Sequence, residues 1–153
     1  MKRITLILLS AILLPACLFG CTKKSVNIHD LKSFVFGYST GTMVNSYVRY
    51  ELRKVDGVWT ATLKPDGVPE EEATVKAVDE SFVRELEAVL NAQNIGAWNG
   101  FNKTDDGVMD GNGFHLSIYM NDGTSVSASG YMKWPDGYRE ASAAIAALFA
   151  AVL

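Results

Sequence analysis

His115 is flanked by hydroxyls at strand spacing, and a histidine beside hydroxyls is the constellation a general base needs to activate a nucleophile. The run Phe114 to Met120 alternates. Phe114, Leu116, Ile118 and Met120 point one way, and His115, Ser117 and Tyr119 the other. Residues two apart on one strand lie about 7 Å apart by the strand rise, so Ser117 cannot bond His115 directly. The hydroxyl would have to come from Ser125, Ser127 or Ser129 on the neighbouring run, with Tyr131 at its end. No Gly-x-Ser-x-Gly elbow accompanies them. The other histidine, His29, falls in an N-terminal polar stretch, so the domain has no histidine pair for a metal site. The bland alternative is a solvated, Ser-rich strand face.

A second constellation is acidic. Asp105-Asp106-Gly107-Val108-Met109-Asp110-Gly111-Asn112-Gly113 supplies three carboxylates, one amide and three glycines, the oxygen-rich composition that hard cations such as calcium prefer. Asp105, Asp106, Asp110 and Asn112 are the candidate ligands. The spacing lacks the Asp-x-Asp-x-Asp-Gly order and the later Glu of a helix-loop-helix site, and turn chemistry alone accounts for Asp, Asn and Gly here.

Aromatic loops are the third feature. Trp98-Asn99-Gly100-Phe101 precedes the acidic loop, and Tyr131-Met132-Lys133-Trp134-Pro135-Asp136-Gly137-Tyr138 leads into the last segment. Rings beside Asp and Asn suit a sugar or peptide groove, one surface stacking and another hydrogen-bonding. Trp98, Phe101, Tyr131, Trp134 and Tyr138, with His115, are therefore the candidate ligand-binding residues. The simpler alternative is that these rings close the core at the helix ends.

The elements that must position these groups are marked by turns. Asp-Gly pairs at 56–57, 66–67, 106–107, 110–111, 122–123 and 136–137 supply the positive φ that tight turns require. Two hairpins are predicted: Tyr47 to Val55 with Val58 to Lys64 around Asp56-Gly57, and Phe114 to Met120 with Thr124 to Met132 around Asn121-Asp122-Gly123. Phe34, Phe36 and Tyr38 suggest an earlier strand, and Ala73, Val75 and Ala77 another. Asp79 is an N-cap for a helix from about Glu80 to near Gly96, with Phe82, Leu86, Val89 and Leu90 on one face. Ile145, Leu148, Phe149 and Val152 give the C-terminal segment the same period. The prediction is an α+β domain, an antiparallel sheet of about six strands in the order β-β-β-β-α-β-β-α, with two helices packed on one face and the other face open.

The N-terminus reads as a targeting segment. Lys2-Arg3 precedes a mainly apolar run from Ile4 to Leu14, and Leu18-Phe19-Gly20-Cys21 is followed by Thr22-Lys23-Lys24. The apolar run is shorter than the roughly 20 residues of a membrane span. Cys17 and Cys21 are the chain's two cysteines, so nothing after Cys21 can form a disulfide or a thiolate metal site. Loss of residues 1–20 would remove Lys2 and Arg3 and take the formal charge from −3 to −5. A chain of that charge without a basic stripe argues against nucleic-acid binding. The remaining length suits one domain with its own core.

The leader resembles the bacterial lipoprotein signal, in which a Leu three places before a Cys and a small residue just before it form the lipobox. That resemblance implies cleavage before Cys21, a diacylglycerol thioether and acylated amine on Cys21, and anchoring in a membrane, since two or three chains hold a protein stably there. Thr22 after Cys21 is compatible with outer-membrane sorting in a Gram-negative host. Leu14-Pro15-Ala16-Cys17 is the rival lipobox, and a plain secretory signal cleaved near Ala16 shares the same leader shape. The expected organisation is a signal peptide over 1–20, a lipidated Cys and polar tether over 21–32, and one globular domain over 33–153.

The domain itself resembles uncharacterised exported domains of bacterial lipoproteins in three short motifs: Trp98 to Phe101, Asp110-Gly111 with Phe114, and Gly130-Tyr131 with Pro135. These cover about half of the mature chain and imply no particular activity. Ser129-Gly130-Tyr131 is also similar to the Ser-Gly loop of lipoprotein lysozyme inhibitors, which differ in carrying a disulfide and a more barrel-like strand pattern. The expectation is a lipid-anchored cell-envelope domain without enzymatic activity or cofactor, binding an envelope protein or a saccharide. The alternatives are an envelope hydrolase or enzyme inhibitor working through the His115, Ser and Tyr131 face, and a purely structural lipoprotein.

Overall fold

The computed structural model describes residues 25–39, 47–108 and 110–153. The leader, Cys17, Cys21 and residues 22–24 lie outside the described residues, as does Met109 of the acidic loop.

Alternation builds the sheet. Strands β1 (Leu31–Ser39), β2 (Tyr47–Val55), β3 (Val58–Lys64) and β4 (Thr74–Ala77) are followed by helix α1 (Glu80–Ala92), strands β5 (Phe101–Thr104), β6 (Gly113–Met120) and β7 (Ser125–Tyr131), and helix α2 (Tyr138–Ala150). The sheet order is β4-β3-β2-β1-β6-β7-β5. Every pairing is antiparallel except β5 with β7. Both predicted hairpins form. Asp56 and Gly57 turn the first at φ 51° and 81°, the left-handed pair that joins two twisted strands through two residues.

The predicted count of six strands becomes seven, and the order gains one strand between the helices. The extra strand is β5. It is four residues long with Phe101 as its one apolar side chain, so no local alternation announces it; it exists because Phe101 to Thr104 pair in parallel with Ala128 to Tyr131.

The helices cover one face. Phe34, Phe36, Tyr50, Leu52, Trp59, Leu116, Ile118 and Val126 point toward them and are buried. Phe82, Leu86 and Leu90 of α1 and Ile145 and Phe149 of α2 fill the same core. Helix α1 begins where the capping rule puts it: Asp79 Oδ1 accepts from the backbone N–H of Ser81 at 2.9 Å and of Phe82 at 3.2 Å. Bonds from Ser81 and Phe82 hold the Asp79 carboxyl below its ordinary range.

Packed structure starts well before residue 33. Ile28 is 2 % exposed. Its N–H donates to Asn91 Oδ1 at 2.9 Å and its carbonyl accepts from Asn91 Nδ2 at 2.6 Å, while Leu31 N–H donates to Glu87 Oε1 at 2.8 Å. Residues 25–32, expected as part of a tether, are therefore ordered: 25–30 are seated on α1 and the turn after it, and Leu31 and Lys32 already belong to β1. Val26, Ile28 and Leu31, spaced two and then three apart among polar residues, hold no single period to reveal it. The seat depends on Gly96, where a Cβ would lie 1.8 Å from the Val26 carbonyl oxygen. Gly96→Ala should therefore cost about 1–3 kcal/mol and speed amide exchange at Ile28. Unchanged stability and unchanged protection of that amide would contradict this packing.

Candidate functional site: an aromatic cleft and an open sheet face

The six sequence-derived candidates fall on opposite sides of the sheet. Trp98, Phe101, Trp134 and Tyr138 gather on the helix side around the ring of Phe114, which lies 6.1 Å from Trp98, 6.1 Å from Phe101, 6.5 Å from Trp134 and 4.9 Å from Tyr138 between centroids. His115 and Tyr131 lie on the other face, away from the helices.

The aromatic group borders a surface cleft of about 330 Å³ lined by Asn94, Ala97, Trp98, Phe101, Lys103, Trp134, Pro135 and Asp136. Part of the group closes the core, as the simpler expectation had it: Trp98 is 4 % exposed. Trp134 is different, with 40 % of its surface in solvent. Its loop is held in place from several sides. Trp98 Nε1 donates to the Asp136 carbonyl at 3.0 Å, Met132 N–H donates to the Asn112 carbonyl at 2.8 Å, and Lys133 Nζ meets Asp105 Oδ2 at 3.0 Å. Burial pushes the Tyr138 phenol up to about 12, with Tyr38 adding to the effect, so it stays neutral at physiological pH. Lys103 Nζ sits 5.3 Å from the Phe101 ring centroid at the cleft wall.

On the open face, His115 stacks on Tyr47, the rings 5.3 Å apart and within 3° of parallel. The Tyr47 hydroxyl lies between the two ring nitrogens, 2.7 Å from Nδ1 and 2.6 Å from Nε2. These rings meet across β1 because the residue between them is Gly37; a Cβ there would stand 2.0 Å from the Tyr47 hydroxyl oxygen and 2.6 Å from His115 Cε1. Ser129, the cross-strand partner of His115, donates its hydroxyl to Asn102 Oδ1 at 3.1 Å. Tyr131 accepts from Gly111 N–H through its hydroxyl at 2.7 Å. The geometry thus puts a phenol, rather than a serine, on the histidine.

Burial lowers the His115 pKa from its ordinary 6.5, so the folded protein holds a neutral imidazole at neutral pH. In the unfolded chain the ring takes up a proton near 6.5, before the folded form does. The unfolded state then binds more protons, and stability falls as pH drops below about 6.5 until the folded-state pKa is passed. His115→Phe keeps a stacked ring and removes the titration. Melting temperatures of the two proteins from neutral pH down to about 5 should diverge, the native one falling further; parallel curves would contradict the burial of His115.

The other half of the open face is charged and was not legible as a site. Glu51 accepts from Arg53 Nε at 3.0 Å and lies 3.4 Å from Arg49 Nε, while Arg49 also pairs with Glu70. The Arg49 Nε is buried and makes no hydrogen bond. Tyr47, Arg49, Glu51 and Arg53 are alternate residues of β2, so the signal existed in the spacing. Lys64 is buried beside them and donates to the Tyr47 carbonyl at 3.0 Å.

The acidic loop is engaged as a strap. It carries the chain from β5 past the end of β7 to β6, and Asp105 N–H donates to the Tyr131 carbonyl at 2.9 Å. The Lys133 bond, then the Gly107 N–H, hold the Asp105 carboxyl below its ordinary range. Among the described residues no group of three or more His, Cys, Asp or Glu side chains converges as a metal site, so Asp105, Asp106 and Asp110 are not brought together. No helix among them is long and apolar enough to cross a membrane.

No protein-family model matches the chain, and no curated protein is significantly similar to it.

Proposed function

We propose that this chain is a lipid-anchored protein of the cell envelope, held to the membrane through acyl chains on Cys21, whose globular domain binds a ligand without transforming it. The cleft bordered by Trp98, Phe101 and Trp134 is the binding site in this reading. One observation carries it: an indole 40 % exposed on a loop tied down by three separate contacts. A ring at the mouth of a cleft on a fixed loop is pre-organised for a ligand, and a site held in place loses little order on binding. The anchoring half rests on the leader and its Leu18-Phe19-Gly20-Cys21 sequence.

The alternative is a hydrolase or enzyme inhibitor acting through His115. What supports it is the Tyr47 hydroxyl lying against the imidazole, within reach of a bond to one of its nitrogens. What weighs against hydrolysis is that Ser129, the best-placed serine, gives its proton to Asn102. Two measurements test the proposal. The intact mass of membrane-extracted protein should match residues 21–153 plus acyl chains, and Cys21→Ser should abolish that species. A soluble fraction of cell envelope should quench the emission of Trp134 in the native protein and leave Trp134→Phe unaffected. A hydrolytic activity that disappears in His115→Ala would replace the binding reading with the catalytic one.

A further inference from the structure

We infer that the ligand of the Trp134 cleft is a neutral saccharide, one or two pyranose rings at the end or edge of a glycan, stacked on the indole of Trp134. This rests on the reading of the cleft as the binding site and names the class of molecule it takes.

Size comes first. At about 330 Å³ the cleft has room for a ring or two, a size it shares with other surface clefts among the described residues, so its volume admits a sugar and the choice of ligand falls to its wall and rim.

The wall is the second argument. Trp134 leans edge-on against Phe114 at 79° and packs on Tyr138 at 5.7 Å, so its inner side is occupied by rings while 40 % of the residue faces water. An indole packed on neighbouring rings and still two-fifths in water offers apolar ring surface at a fixed position. The C–H face of a pyranose is flat, weakly apolar and rimmed by hydroxyls, and so matches such a surface.

The rim is the third argument, and it separates a sugar from the other occupant of aromatic grooves, a proline-rich peptide. Asp136 offers a carboxylate that only accepts, and Lys103 an ammonium that only donates. Asn94, whose amide oxygen accepts from Ser25 Oγ at 2.8 Å, still offers its NH₂ and the second lone pair of that oxygen. A hydroxyl donates and accepts, and one ring can therefore serve all three. A polyproline helix presents carbonyl acceptors alone. It would leave the Asp136 carboxylate, an acceptor that needs a donor, unserved.

The test uses the purified full chain in a zwitterionic detergent, free of sugar headgroups. An array of neutral hexoses, N-acetylhexosamines and their oligomers is screened, and the best binder is titrated by tryptophan emission. Trp59 and Trp98 are 6 % and 4 % exposed, so a blue shift on binding reports Trp134. The expected result is saturable binding of at least one saccharide, weakened roughly tenfold or more in Trp134→Ala and also weakened in Asp136→Asn, which keeps the backbone carbonyl that Trp98 uses. His115→Ala should bind as the native chain does. Decaproline is titrated in parallel. If it binds through Trp134 and no sugar does, the saccharide assignment is wrong and the cleft reading stands. If neither binds and Trp134→Ala changes nothing, both fall.

Discussion

Phe149→Ala is expected to lower the unfolding free energy by about 3–5 kcal/mol, a large share of the roughly 5–15 kcal/mol that holds a domain together. Phe149 is fully buried and joins three elements: its ring lies 6.1 Å from Phe34 of β1, 5.3 Å from Tyr50 of β2 and 5.4 Å from Phe82 of α1, the last two edge-on. Truncation removes the ring from all of them at once. The cavity cannot be refilled by a small shift, because Phe34 and Tyr50 belong to adjacent paired strands and Phe82 to the first turn of a capped helix. Urea denaturation followed by far-UV circular dichroism measures the loss. Phe101→Ala, at the half-exposed start of β5, is the comparison and should cost clearly less. A loss under about 1 kcal/mol for Phe149→Ala would mean that α2 does not seat on the sheet through this ring.

The same residues show what could be read in advance. Phe149 belongs to a helical stripe and Phe34 to an alternating strand, so the local period of each places it in the core. Both hairpins and the Asp79 cap were equally local, since turn chemistry and capping act within a few residues. What escaped depended on strand order. Tyr47 and His115 are 68 positions apart, and they stack because β1 lies between β2 and β6 and carries Gly37 at the crossing. Strand β5 escaped because its reason for existing is β7, not its own composition.

The candidate site divides along the same line. The aromatic residues were visible, and strand alternation already puts Tyr131 on the face of His115 and the serines; what it does not reveal is that Trp134, three residues on, ends on the opposite side of the sheet. The polypeptide turns between them at Met132, whose φ of 53° is unusual for a side chain of that size. Asn94 and Lys103 of the cleft gave no signal at all, being ordinary polar residues until the fold brings them beside Trp134.

Gly130→Ala carries the second large effect, and it couples the fold to the cleft. Gly130 sits at the helix-facing end of β7, where a Cβ would stand 2.1 Å from the Lys133 carbonyl oxygen and 2.6 Å from Phe114 Cε1. Neither neighbour can give way cheaply. The Lys133 carbonyl belongs to a loop fixed by the Met132, Lys133 and Asp136 contacts, and the Phe114 ring is enclosed by Trp98, Phe101, Trp134 and Tyr138. The methyl must displace one of them, at a cost of about 2–3 kcal/mol. Either displacement moves Trp134, through its own loop or through the ring it leans on. The variant should therefore show a changed tryptophan emission maximum while still folded, together with its lower urea midpoint. Ser129→Ala, one residue earlier and facing the other side, loses its bond to Asn102 but should leave the emission of Trp134 as it was. A Gly130→Ala protein with native stability and native emission would show that the Trp134 loop is not braced against β7, and the case for a preformed cleft would go with it.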